Sequence, residues 1–191
     1  VIAVSKGVAD DLAASIGMSR DRIDFVYNPF DLSAIRQRAD EPFDHPWFTP
    51  GEPPVVLGVG RLTAAKDFPT LIRAFAVLRS QRPARLVILG EGELRPALQE
   101  LIDSLEVSDD IAMPGFCDNP FVWMRRAAVF ALSSAWEGSP GTLIQAMACG
   151  TPVVSTDCPS GPVEILENGK WGRLTPVGDI NAMTNAITQT L

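Results

Sequence analysis

From Val55 onward the chain repeats one pattern: a short, mostly apolar run, a stretch with helical spacing, then another apolar run. The runs fall at 55–59, 85–89, 111–113, 129–132, 152–155 and 172–174, and the helical stretches at 70–80, 94–105, 119–126, 142–149, 162–167 and 180–191. In the first helical stretch the apolar residues Leu71, Ile72, Phe75 and Leu78 form one stripe. A strand that is apolar at every position has no face to give to water, so it must be covered from both sides. Strands alternating with helices provide that cover in a parallel sheet. The pattern predicts an α/β chain: a Rossmann-like parallel sheet with helices on both faces. There is no internal repeat and no low-complexity segment.

Upstream of Val55 the rhythm is weaker. Residues 1–4 read as a strand, Ser5 as a helix cap with the helix running to about 15, and 22–27 as a second strand closed by Asn28-Pro29. Residues 31–54 hold Glu41-Pro-Phe-Asp-His-Pro-Trp-Phe-Thr-Pro50 and Pro53-Pro54, too much proline for a regular element, and are expected to be a linker. The chain opens on Val-Ile-Ala-Val without Met or a basic leader, so a piece of a longer protein is expected.

Composition narrows the function. A chain of 191 residues makes one domain or one and a fraction. A net charge of −7 argues against a nucleic-acid partner, since a phosphate backbone needs a basic face, but it leaves room for a local pocket binding one small anion. No apolar run approaches the ~18–20 residues of a transmembrane segment. The three cysteines are unclustered and odd in number, which excludes a disulfide scaffold or zinc site and points to a reducing, cytoplasmic setting.

In an open parallel sheet ligands bind beyond the carboxyl ends of the strands. Those ends are Gly58-Val-Gly-Arg-Leu-Thr-Ala-Ala-Lys66, Gly90-Glu-Gly-Glu-Leu-Arg95, Pro114-Gly-Phe-Cys-Asp118 and Ser133 through Gly141, with glycine in all four. Several chemistries drop out. His45 is the single histidine and lies in the expected linker, as a surface or packing residue. Gly138-Ser-Pro-Gly141 is no nucleophile elbow, because Glu137 stands where the first glycine belongs. There is no Gly-Lys-Ser/Thr, and Gly58-x-Gly60 continues with Thr63 in place of the third dinucleotide-binding glycine.

The stretch Glu137–Leu143 says more. Pro140 suits the first position of a helix, which would leave the N–H groups of Gly141, Thr142 and Leu143 unpaired at its positive end, an anion site. Gly138 and Gly141 let a ligand approach the backbone. On this stretch alone, Glu137 could equally just complement the helix end. Arg61 and Lys66, expected on an exposed loop at the same sheet edge, add the cations that a diphosphate needs without a metal, and no Asp-x-Asp motif occurs. Glu137 would then accept hydrogen bonds from sugar hydroxyls, and Gln145, in line with Thr142, from a ribose.

These pieces together resemble the retaining glycosyltransferases of GT-B fold, family 4. The resemblance is carried by Gly58-Val-Gly-Arg-Leu62 with Lys66-Asp67, Leu89-Gly-Glu-Gly-Glu-Leu-Arg95, Pro114-Gly-Phe116, Glu137-Gly-Ser-Pro140, Ala146-Met-Ala-Cys-Gly-Thr-Pro-Val-Val154 and Gly161-Pro-Val-Glu-Ile-Leu166. It implies one half of a GT-B fold: residues 55–191 as the C-terminal donor-binding domain, 31–54 as the interdomain linker and 1–30 as the end of an N-terminal acceptor domain. It further implies a nucleotide-diphosphate sugar as donor substrate, with no cofactor and no metal. Arg61 and Lys66 would hold the diphosphate and Glu137 the sugar, as the catalytic group. Gly60, Gly115, Phe116, Ser139, Gly141, Thr142, Leu143 and Gln145 would contact the nucleotide sugar. The family pattern has a second glutamate eight residues after the first, where this chain has Gln145; an acceptor is kept and a charge lost. The acceptor domain and any peripheral membrane contact would belong to the missing N-terminal part. A stand-alone sugar-nucleotide binding subunit, and an epimerase or phosphorylase on the same fold, are the alternatives.

Overall fold

The computed structural model describes all 191 residues. Six parallel strands form the main sheet: β3 (Val55–Val59), β4 (Arg85–Leu89), β5 (Ile111–Gly115), β6 (Val129–Leu132), β7 (Val153–Thr156) and β8 (Arg173–Thr175). Their spatial order is β5-β4-β3-β6-β7-β8, and every neighbouring pair is parallel. The alternation of side chains along each strand divides the core in two. Val56, Leu86, Ile88, Val129 and Val154 face one way, onto α3 (Phe68–Gln81), α4 (Arg95–Ser104) and α8 (Ile180–Thr190), through Leu71, Phe75, Leu98, Met183 and Ile187. Val55, Leu57, Val87, Leu89 and Phe130 face the other way, onto α5 (Phe121–Arg126) and α6 (Gly141–Ala148), through Phe121, Met124, Leu143 and Ala146. All of these side chains are buried, which is why the central strands are almost wholly apolar. A short α7 (Pro162–Ile165) follows β7.

The strand order fixes where a ligand can sit. The chain leaves β3 toward β4 and β5, then returns to the other side of β3 to add β6, β7 and β8. Between β3 and β6 the direction of winding reverses, so the loops after these strands diverge and open a crevice.

Residues 31–54 correct one expectation. They contain a helix, α2 (Leu32–Ala39), whose N-terminus is capped by the Asp31 carboxylate accepting from the Ala34 N–H at 2.9 Å. Its Ile35 and Ala39, four residues apart, are buried against the α5–α6 face of the sheet. The prolines begin only at Pro42, past the helix end, so the proline content of the whole stretch misrepresented its first part. The rest packs too: Phe43, His45, Phe48 and Trp123 form an aromatic cluster with ring centroids 4.8–6.1 Å apart. Arg126 lies over Phe43 and donates to the Ala39 and Glu41 carbonyls. His45 is a packing residue, and burial lowers its pKa.

The first thirty residues form a separate small layer: β1 (Ile2–Ala3) and β2 (Asp24–Phe25), parallel, with α1 (Lys6–Ile16) between them in sequence. It is tied to the larger unit by polar contacts. The Ser5 hydroxyl donates to the Gly138 carbonyl at 2.8 Å, and Glu164 accepts from the N–H groups of Lys6 and Gly7 at 3.2 and 2.9 Å. The Tyr27 hydroxyl donates to the same carboxylate at 3.0 Å.

Candidate functional site

The two loops at the crevice are stitched to each other and to their neighbours. Past β3, the N–H of Gly60 bonds to the Leu89 carbonyl, and that of Leu62 to the Glu91 carbonyl, both at 2.9 Å. Gly90, with φ of 142°, lies so close to this loop that a Cβ would stand 1.9 Å from the Gly60 carbonyl oxygen. Only glycine lets the ends of β3 and β4 meet there. A short turn over Ala64–Lys66 follows, and Asp67 caps α3 through Thr70. Past β6, the Ser133 hydroxyl donates to the Lys66 carbonyl at 2.8 Å and the Ala135 N–H to the Ala65 carbonyl at 2.9 Å. Two loops some seventy residues apart in sequence thus form one wall.

On that wall Lys66 and Glu137 meet. Lys66 Nζ lies 2.5 Å from Glu137 Oε1, and the Ser134 hydroxyl donates to the same oxygen at 2.6 Å. The side chains are only 18% and 10% exposed, so this pair is partly withdrawn from water. Lys66 therefore departs from the exposed position expected of it, whereas Arg61 is exposed and its guanidinium makes no hydrogen bond within the chain. The lysine stem runs against Gly60, where a Cβ would come 3.1 Å from Lys66 Cε.

The N-terminus of α6 is partly as expected. Pro140 precedes the helix with φ of −70°, and the N–H groups of Gly141 and Thr142 find no partner in the chain. Leu143 corrects the expectation: its N–H bonds to the Pro140 carbonyl at 3.1 Å, and its side chain is fully buried in the core. The first turn closes one residue earlier than an ideal helix start allows, which leaves two free donors. The Thr142 hydroxyl oxygen is buried and also without a partner. An orphaned buried hydroxyl is costly, and it marks where a ligand oxygen would be welcome. The neighbouring turn is shaped by Gly161, where a Cβ would come 2.5 Å from Pro140 Cδ. Ser139 sits in this turn, half-buried.

A cavity of about 390 Å³ opens at the crevice and brings Gly60, Arg61, Phe116, Thr142 and Gln145 to one surface, together with Glu91, Cys117 and Pro120. Gly115, next to Phe116 in the chain, is not itself in the lining; its φ is 95°, and a Cβ there would stand 2.7 Å from Glu91 Oε1. Phe116 is 80% exposed, a flat apolar face at the mouth. Glu137, Lys66 and Ser139 are not among the cavity's lining residues; they stand on the adjoining wall. Sequence reasoning passed over Ser134 and Glu91. Ser134 had a signal, a hydroxyl three residues before Glu137 at a strand end; Glu91 sat unassigned in a quoted motif. Burial pushes the Cys158 thiol up, so it stays protonated and packs rather than reacts.

Against known proteins, residues 40–191 match the family model described as "Glycosyl transferases group 1". The chain is 36% identical over 179 residues to the N-acetylgalactosamine-N,N'-diacetylbacillosaminyl-diphospho-undecaprenol 4-alpha-N-acetylgalactosaminyltransferase of Campylobacter jejuni, covering 94% of this chain and 47% of that protein. It is 36% identical over 141 residues to the lipopolysaccharide core biosynthesis glycosyltransferase LpsE of Rhizobium meliloti, covering 74% and 40%. The chain spans about half the length, or less, of these curated relatives. Among solved structures, the lipopolysaccharide outer core galactosyltransferase WaaB superposes with a TM-score of 0.79 at 28% identity, over 99% of this chain and 52% of that one. The Anabaena protein HepE, solved in complex with UDP and glucose, superposes with a TM-score of 0.79 at 25% identity, over 100% and 54%. The fold is the α/β, Rossmann-like arrangement of GT-B glycosyltransferases, and the chain belongs to the glycosyl transferases group 1 family.

Proposed function

We propose that this chain is the donor-binding half of a retaining, family 4 glycosyltransferase, and that its cavity takes a nucleoside-diphosphate sugar. One observation carries the reading: the buried, partnerless hydroxyl of Thr142 lines the same cavity as Arg61, at a helix N-terminus with two free N–H groups. Three unused donors and a free guanidinium are what a diphosphate requires. The presence of UDP in the Anabaena neighbour favours a uridine nucleotide.

In this reading the base lies against Gly115 and Phe116, and Gln145 takes a ribose hydroxyl. The diphosphate lies along Gly60, Arg61, Ser139, Gly141 and Thr142. Lys66 reaches it from the adjoining wall, and Glu137 accepts hydroxyls of the sugar. Leu143 serves by closing the helix turn that frees its two neighbours. Catalysis is electrostatic: as the glycosidic bond breaks, charge grows on the departing diphosphate beside Arg61 and the helix end, and Lys66 turns from Glu137 to meet it. The reading supplies these positive groups in place of a metal and calls for no cofactor. Reaction with retention needs an acceptor hydroxyl held at the anomeric carbon. That task is assigned to an N-terminal acceptor domain of which residues 1–30 are the end, so this chain binds without transferring. The exposure of Ile2 in β1 (70%) supports that assignment, because parallel strands are ordinarily covered on both faces. Three unpaired thiols fit a cytoplasmic setting.

The test is Thr142→Val. The isosteric change removes the orphaned hydroxyl, so stability should hold or rise by up to about 1 kcal/mol, while UDP binding weakens by about 1 kcal/mol. Calorimetric titration and thermal melting read both. Unchanged affinity would sink the assignment.

A further inference from the structure

The Glu137 carboxylate is held from one side only. Lys66 Nζ and the Ser134 hydroxyl both bind Oε1, and Oε2 has no hydrogen bond within the chain. Ser134 is 0% exposed and firmly placed: its carbonyl accepts from the Thr156 hydroxyl at 2.6 Å, and Thr156 is itself fully buried. On either side Ser133 grips the Lys66 carbonyl and Ala135 the Ala65 carbonyl. The end of β6 is thus a rigid base from which one hydroxyl proton is directed at one carboxylate oxygen.

We propose that Ser134 is a positioning residue for Glu137: by occupying Oε1 it fixes the carboxylate's rotation and leaves Oε2 to accept a hydroxyl of the donor sugar. This rests on the reading of Glu137 as the sugar-binding group. The contact matters most once ligand arrives. A diphosphate competes for Lys66, the cation that pairs with Glu137. When Lys66 turns to the phosphates, the hydroxyl of Ser134 is the contact that remains to hold the carboxylate in place.

The experiment is calorimetry on the 191-residue chain with UDP, UDP-glucose, UDP-galactose and UDP-N-acetylglucosamine, reading the ratio of UDP to UDP-sugar affinity. Ser134→Ala is expected to leave UDP affinity within about twofold and to shift that ratio against the best-bound UDP-sugar by about tenfold, the size of one hydrogen bond to a charged group. Glu137→Gln is expected to shift it at least as far, and adding Ser134→Ala to it should change nothing more, as for residues acting in series. Ser134→Cys, close in size with a weaker donor, should fall between wild type and alanine and guards against a folding defect in Ser134→Ala. An equal loss of UDP and UDP-sugar binding, or an undiminished effect of Ser134→Ala in the Glu137→Gln background, would make Ser134 merely structural and overturn the proposal. A wild-type chain that binds UDP but shows no dependence on Glu137 with any sugar would overturn it while sparing the diphosphate site. A wild-type chain that binds none of the four would end both.

Discussion

Lys66 and Arg61 illustrate how differently two cations of one loop can behave. From sequence they look alike, five residues apart past the same strand. In the fold Arg61 stays exposed and unpaired, while Lys66 is drawn onto a carboxylate 71 residues away. No local pattern encodes that pairing; it follows from β3 and β6 being neighbours. The consequence is a stability difference. Lys66→Ala leaves Glu137, 10% exposed, with Ser134 as its only side-chain partner, and should cost about 1–3 kcal/mol. For a chain of this size that is a fall in melting temperature of roughly 2–4 °C per kcal/mol. Arg61→Ala should melt with the wild type. Equal melting of both variants would show that the ion pair contributes nothing. Residues that act through backbone were easier to read: the glycines at the strand ends announced close approaches, and Gly90 and Gly115 show them.

At the scale of elements, the strands were legible because burial on both faces leaves an unbroken apolar run, and β3, β4 and β6 have the expected bounds. Helix ends moved by a residue or two, as frayed termini do. What failed was α2, whose eight residues were read together with the prolines behind them. Its amphipathic spacing, Ile35 and Ala39 inward with Arg36 and Arg38 beside them, was present but short. The aromatic cluster behind it gives this segment a pH dependence. His45 accepts the Trp47 N–H through Nδ1, and burial lowers its pKa from the ordinary histidine value of 6.5, with Asp44 opposing. The folded state thus disfavours the imidazolium relative to the unfolded chain. Its contribution to stability is present above pH 6.5 and is lost as pH falls through the folded value. Urea melts at about pH 5.5 and 7.5 should show a steeper pH dependence for wild type than for His45→Phe, which keeps the ring packing without titrating. Identical pH dependence in the two proteins would contradict this.

For the molecule as a whole, the order of strands does most to locate function. The reversal between β3 and β6 sets Arg61 and Lys66 opposite Glu137 and the start of α6, and a sheet wound in one direction would not. The small layer of residues 1–30 reaches the same place from outside, through Ser5 on the Gly138 carbonyl and Glu164 on the start of α1. The turn before α6 is therefore held from outside by a part of the chain that only the tertiary fold brings to it. A site so assembled should bind its ligand with the backbone already in place, Lys66 alone changing partner. The most direct measurement is a calorimetric titration of UDP into the 191-residue chain and into its Arg61→Ala variant, with a chelator present. A single-site isotherm for the wild type, weakened about tenfold or more by loss of a charge-assisted contact in Arg61→Ala, is the expected result. No binding by the wild type, or equal binding by both, would contradict a diphosphate site at the β3–β6 crevice.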